Sequence, residues 1–298
     1  MEAFVQSVVN GLGQGSIYAL LALGYVMIYK ATHVISFAQP ALMIAGGLYA
    51  YHFTKVFELP FWVGMVLAVL AGALTGMIVE RLALRPMIGK PVFTLAIITI
   101  GIDIVLRIFA NRYIGVQSKI VTYPNGTKRY ELFGITISQQ RLGLIAVTIV
   151  TVVALALFFR YTRAGLAMRA TALDQETAMA QGIRVGVIFA LAWAIAGGLA
   201  AIAGTFVAAG TAGIDQATWI IALKALPAII IGGLDSVPGA VVGGLAVGVI
   251  EALTASYQPD VAPWLGNNFS LVAPYALMFL VLLIRPYGLF GTKEVERV

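Results

Sequence analysis

Leu142-Gly143-Leu144-Ile145-Ala146-Val147-Thr148-Ile149-Val150-Thr151-Val152-Val153-Ala154-Leu155-Ala156-Leu157-Phe158-Phe159 carries no charge and lies between Arg141 and Arg160. As a helix rising about 1.5 Å per residue it reaches about 27 Å, close to the roughly 30 Å of a bilayer's hydrocarbon core. A run this long without a polar stripe has no water-facing side. It reads as a membrane-spanning helix.

Outward from it, eight more apolar runs read the same way: Val5–Tyr29, Val34–Phe53, Phe61–Ile78, Val92–Ala110, Val185–Ala209, Thr218–Gly232, Ala240–Ser256 and Phe269–Ile284. The whole chain agrees with them. Of its 298 residues 60% are hydrophobic and 11% charged, with a mean hydropathy of +0.95; soluble domains average about a quarter charged. The expectation is an all-α polytopic membrane protein with about nine transmembrane helices, forming one transmembrane domain over residues 1–298, with lipid as its solvent. The start, Met1-Glu2-Ala3, lacks the basic segment of a cleavable signal. The 32 glycines suit helices that pack closely in lipid.

Lys and Arg set the orientation. With the C-terminus inside and nine crossings, eleven basic residues fall in inner loops and six in outer ones, and Arg107 and Lys224 lie within spans. The bias predicts N-out, C-in. The seventh run is the weakest, being short and holding Lys224 and Pro227. If it dipped in and returned, the basic residues of the tail would face the wrong side, so it is read as a crossing. The net charge of +6 sits between apolar runs as a topology signal. No nucleic-acid partner is expected, because no basic patch alternates with aromatics.

Absences narrow the chemistry. There is no cysteine, and the two histidines, His33 and His52, are too few and too far apart for a metal site. No cofactor is expected. There is no phosphate-binding G-x-x-x-x-G-K-[ST] loop, so this chain does not hydrolyse ATP itself. No Ser-His-Asp set assembles, and an enzyme is not expected.

Two loops are long. Residues 111–141 fall outside, where β-prone Lys119–Tyr123 and Thr127–Ile137 flank Pro124-Asn125-Gly126; this predicts a hairpin turning at Asn-Gly, with an irregular loop as the alternative. Residues 160–184 fall inside. From Gly165 to Gln181 they are rich in Ala, Met and Leu and free of proline, which predicts a cytoplasmic helix stopped near Gly182. With Asp174, Glu176 and Ala178 it has the size to enter a groove on a partner. An ordinary connecting helix on the membrane surface fits equally well.

Glu176, Ala178 and Gly182 match the E-A-A-x-x-x-G spacing of the cytoplasmic loop in ATP-binding-cassette permeases, with Thr177 at the middle Ala. Further stretches, in order along the chain, are Gly11, Gly15, Ser16 and Tyr18 of Gly-x-x-x-Gly-Ser-x-Tyr-Ala-Leu; Ile35-Ser36-Phe37-Ala38-Gln39; Glu80-Arg81 with Arg85-Pro86; Arg160-Tyr161-Thr162-Arg163-Ala164-Gly165; Gly232–Ala240; and Arg285–Gly291. Together these resemble the LivH-type permease family of branched-chain amino acid importers, with its amide and urea relatives. The resemblance implies the importer permease fold and a second homologous permease subunit. It also implies two ATPases docked on the inner side, coupled through Asp174, Glu176, Ala178 and Gly182, and an external solute-binding protein. One departure matters: the family commonly has Asn-Phe-Ala-His-Gly where this chain has Ser36-Phe37-Ala38-Gln39-Pro40. That leaves the substrate open between branched-chain amino acids and urea, short amides or other small polar solutes.

Polar residues inside spans are costly and usually face a cavity or a partner. Asp103 and Arg107 stand four apart on one helix face and read as a self-neutralising structural pair, with a substrate clamp as the alternative. Lys224 has no partner in its own run; it can snorkel, meet an acid on another helix or meet a substrate carboxylate. Ser36 and Gln39 open the second span beside Pro40, and such breaks often line a transporter's pathway. An ordinary helix start with proline in its first turn fits too. An ion-coupled transporter would need intramembrane acids, and Asp103 alone lies well within a span, with Asp215 and Glu251 towards ends.

Overall fold

A computed structural model describes residues 2–87, 90–124, 128–132, 134–266 and 268–292. Its regular structure is helical apart from one hairpin. The helices are α1 (Glu2–Thr32), α2 (Gln39–Tyr51), α3 (Phe61–Val79), α4 (Val92–Ile114), α5 (Gln139–Tyr161), α6 (Arg163–Leu173), α7 (Gln175–Ala180), α8 (Val185–Ala208), α9 (Trp219–Leu223), α10 (Ala225–Gly232), α11 (Val237–Val261) and α12 (Ala273–Ile284).

Six of the nine expected spans are long and apolar enough to cross a membrane: α1, α3 with the helical turns that follow it, α4, α5, α8 and α11. The other three are shorter or broken. The second starts only at Gln39 and ends in a π-helical turn, His52–Val56. The seventh is split at Lys224 into α9 and α10. The ninth opens as a 3₁₀ turn, Phe269–Leu271, before α12. Apolar composition alone does not register such breaks, because the residues around them stay apolar.

Contacts divide the chain into two units. The first takes residues 1–26, 125–148 and 223–298. Within it α10 packs on α11 and α12, and α11 lies antiparallel to α1. Gly11 faces Gly248 and Val249, Gly15 faces Gly244 and Leu245, and the Ser7 hydroxyl donates to Ser256 Oγ at 2.8 Å. A Cβ on Gly15 would stand 2.8 Å from the Leu245 Cα, so the Gly-x-x-x-Gly at the start of the chain lets two backbones touch. At the Ser7 end β1 (Arg129–Leu132) pairs with β2 (Ile135–Ser138), reversing at Gly134 with φ +78. Gln6 holds β2 by its edge, donating to the Thr136 carbonyl at 3.0 Å and accepting from the Thr136 N–H at 2.8 Å. At the other end of α11 the tail folds back: Leu289 and Phe290 N–H donate to the Ile231 and Gly232 carbonyls at 2.8 and 3.0 Å, and Thr292 bonds to Asp235.

The hairpin is therefore not the one expected. Asn125-Gly126 lies outside the described residues, as do Lys293 and Arg297 of the tail. The run at Lys119–Tyr123 does not join the hairpin; Lys119 exchanges backbone hydrogen bonds with Ile214 at 2.8 and 3.0 Å. A glycine able to take positive φ stands at 134, and the turn forms there.

The second unit takes residues 27–124 and 149–222. At its centre α8 is buried along most of its length between α2 and α3, and Gly197, Ala201 and Gly204 keep that contact close. Beyond it Phe61, Tyr123 and Phe206 stack edge-on, with Phe61 4.8 Å from Tyr123 and 5.9 Å from Phe206 between ring centroids. The outward residues of α3, α4 and α5, such as Leu70, Ile104 and Val150, are large, apolar and exposed. In water that would be an aggregation surface; against lipid tails it is the expected one.

Candidate translocation and coupling elements

In the second unit the break before α2 is buried. Ser36 and Gln39 have no exposed surface. A helix starting there presents backbone N–H groups that its own carbonyls cannot reach. Pro40 lacks one of these donors, and Ala38, at the capping position, has no side chain to accept the others. The acceptors come from α4: Phe37 N–H donates to Thr99 Oγ1 at 2.9 Å and Ala41 N–H to Asp103 Oδ1 at 3.1 Å. The Gln39 amide donates to the Ala196 carbonyl on α8 at 3.3 Å, while its Oε1 is buried without a hydrogen-bond partner among the described residues.

Asp103 thus has two tasks. Its second oxygen lies 2.7 Å from Arg107 Nη2, and the Arg107 guanidinium stands 4.7 Å over the Trp219 ring. A carboxylate at a helix N-terminus also meets the positive end of the helix dipole. The pair is legible at i, i+4; the cap is not, because it joins positions 62 apart. A helix start with proline and no capping side chain, together with Thr99 and Asp103 on one face of α4, is the signal that was there to read.

In the first unit Lys224, at the break between α9 and α10, forms an ion pair with Glu251 on α11. Glu251 also accepts from the Tyr18 hydroxyl at 2.6 Å, and Gln14 donates to that same Tyr18 oxygen at 3.1 Å. Of the three fates open to Lys224, the structure places it against an acid on another helix. Sequence reasoning left Glu251 near a span end without a task. Yet it is the one acid in Ala240–Ser256, and Lys224 is the one cation in Thr218–Gly232.

The expected cytoplasmic helix is two. Thr162 caps α6, its Oγ1 accepting from Gly165 N–H at 2.9 Å. Asp174 then takes extended backbone, φ −159 and ψ 114, and caps α7 by accepting from Glu176 and Thr177 N–H at 2.9 and 3.0 Å. Aspartate competes with a continuing helix through such bonds, which is why the helix breaks here. Gly182 ends α7 with φ +83: its N–H donates to Met179 O at 2.9 Å and Ile183 N–H to Ala178 O at 3.0 Å, a Schellman closure. Ala178 points inward and is 3% exposed, whereas Leu173 is 88% and Met179 54% exposed, with Glu176 beside them. Gln175 ties α7 to the end of α1 by donating to the Ala31 carbonyl at 3.2 Å.

Residues 7–282 match the family described as "Branched-chain amino acid transport system / permease component". The chain is 32% identical to the high-affinity branched-chain amino acid transport system permease protein LivH of Salmonella typhimurium, over 99% of this chain and 98% of that protein. It is 33% identical to the corresponding BraD of Pseudomonas aeruginosa over the same shares, and 29% identical to a probable LivH of Methanocaldococcus jannaschii over 95% and 92%. A multi-pass membrane chain with these relatives along its whole length is a member of the branched-chain amino acid transport permease family.

Proposed function

We propose that this chain is the permease subunit of an ATP-driven importer that carries branched-chain amino acids across the bacterial inner membrane. It works beside a second homologous permease, with two separate ATPases on the cytoplasmic side and an external solute-binding protein. The substrate reading rests on the relatives' names. The mechanistic reading rests on one observation: α6 and α7 form a doubly capped pair of short helices that presents Leu173, Glu176 and Met179 outward. Apolar residues on a water-facing loop are costly unless a partner covers them. An ATPase groove that moves as nucleotide binds can then pull on α7, and through Gln175 on the end of α1. In this reading Asp174 and Gly182 shape the segment and Ala178 seats it, while Leu173, Glu176 and Met179 meet the partner.

The chain makes nine crossings with its N-terminus outside and its C-terminus inside; residues 111–141 lie outside and 160–184 inside. The breaks at Ser36–Gln39 and at Lys224 lie along the pathway. The fixed pairs at Asp103–Arg107 and Lys224–Glu251 hold the broken helices in place rather than bind substrate. The test is reconstitution of the full complex in proteoliposomes with the binding protein, following labelled leucine. Uptake that needs ATP and both permeases is the expected result. Leucine uptake by this chain alone, driven by an ion gradient, would overturn the reading.

A further inference from the structure

The second unit contains a cavity of about 300 Å³, walled on its apolar side by Leu84, Leu95, Phe189 and Trp193. Its polar lining is made of Thr32, His33, Lys90, Thr99 and Gln175. The Thr32 hydroxyl donates to Ile28 O at 2.8 Å, the Thr99 hydroxyl to Ala96 O at 2.7 Å, and the Gln175 amide to Ala31 O. At the wall stand the His33 ring and the exposed Lys90 ammonium. The indole N–H of Trp193 is buried, and its Nε1 has no hydrogen-bond partner among the described residues. No acidic side chain lines the cavity among the described residues. The site offers apolar walls and a positive charge, with no carboxylate among the described lining residues to receive a cation.

We propose that this cavity binds a small branched monocarboxylate, its apolar body against Leu95, Phe189 and Trp193 and its carboxylate at Lys90. The volume lies at the lower end of ligand pockets, which run from about 300 to 1,000 Å³. That suits a molecule of roughly ten heavy atoms or fewer. Leucine is disfavoured by charge: its ammonium meets no carboxylate in the described lining and faces the Lys90 charge instead. The site is therefore distinct in chemistry from any that takes the free amino acid. Because Gln175 belongs both to the lining and to α7, an occupant touches the segment proposed to meet the ATPase.

The experiment is equilibrium dialysis of labelled 4-methylpentanoate against the full chain in lipid nanodiscs. Saturable one-site binding is expected, with leucine and 4-methylpentanol competing at least about tenfold less well. Lys90→Gln, at an exposed position that does not threaten folding, should weaken binding about two- to fivefold, the range of a single rim charge. Non-saturable uptake, affinity unchanged in Lys90→Gln, equal competition by leucine, or tighter binding of dodecanoate would each overturn the proposal. The last would make the cavity a crevice for acyl chains. Neither ATPase nor transport enters these readouts, so their failure leaves the importer reading standing, and the reverse holds too.

Discussion

Asp103 shows how far a residue can be read from its neighbours in sequence. Its spacing from Arg107 announces an ion pair, and the structure has one. Its bond to Ala41 N–H cannot be announced, since nothing local links position 103 to position 41. The two tasks separate by mutation. Arg107→Leu leaves Asp103 charged at the N-terminus of α2, where the dipole still favours it. Asp103→Ala removes both the cap and the counter-charge, leaving a buried N–H and a cation unmet. Asp103→Ala is expected to cost about 3 kcal/mol, in the range for stripping one partner from a buried pair, and Arg107→Leu clearly less. Thermal aggregation of the detergent-purified chain would read this, and equal losses would mean the cap contributes nothing. Lys224 and Glu251 supply a second case. Lys224→Met and Glu251→Gln each strand a charge held by the other, whereas the double variant strands none. The double should be more stable than the two single losses added together, by 1 kcal/mol or more. Strict additivity in a double-mutant cycle would show the pair to be uncoupled, and Lys224 would return as a substrate contact.

At the scale of elements, legibility follows length. Runs such as Leu142–Phe159 are long, uncharged and unbroken, and α5 covers the whole of that run. The short pieces merge into longer ones in the sequence because the residues that break them do so through contacts or turns. Asp174 divides the inner helix by capping the next one, and its side chain could equally have pointed to solvent. Ala178, one of the residues for which the resemblance implies a coupling role, is buried within the chain. That makes α7 testable from both sides. Ala178→Glu should disorder α7 in the isolated chain, whether or not an ATPase is present. Met179→Glu should leave the chain folded and inserted but abolish substrate-stimulated ATP hydrolysis in the complex. Gly182 separates conformation from contact, since a Cβ there would meet nothing within 4 Å and only its φ of +83 is demanding. Gly182→Asn, which tolerates left-handed backbone, should retain most coupling, and Gly182→Val should lose it. If Asn is as damaging as Val, the partner must approach the backbone at 182 itself, and the glycine serves contact.

At the scale of the molecule, the sequence predicts orientation from eleven basic residues against six, an inference that hangs on whether the broken seventh run crosses. Within the first unit there is a second, independent support. Helix α1 starts beside the hairpin, with Gln6 bonded to Thr136, and runs antiparallel to α11, with Ser7 against Ser256 and Gly15 against Leu245. The tail is bonded to Asp235, just before α11 begins, at the end of that helix remote from Ser256. Two antiparallel helices of 31 and 25 residues, each about 37 Å or more in length, separate Glu2 from Thr292. That separation is what the proposed nine crossings require, an odd number that leaves the tail on the side opposite the start of the chain. Which side is inside then rests on charge alone, and a direct measurement decides it. The chain has no cysteine, so single cysteines report without background. Lys128→Cys and Glu2→Cys should react with a membrane-impermeant maleimide on intact cells. Leu173→Cys and Thr292→Cys should react only after the membrane is opened. Labelling of Thr292→Cys together with Glu2→Cys on intact cells would break the antiparallel pairing of α1 and α11 as a description of the protein in its membrane. Labelling of Leu173→Cys in place of Lys128→Cys would invert the chain and put α7 out of reach of any ATPase.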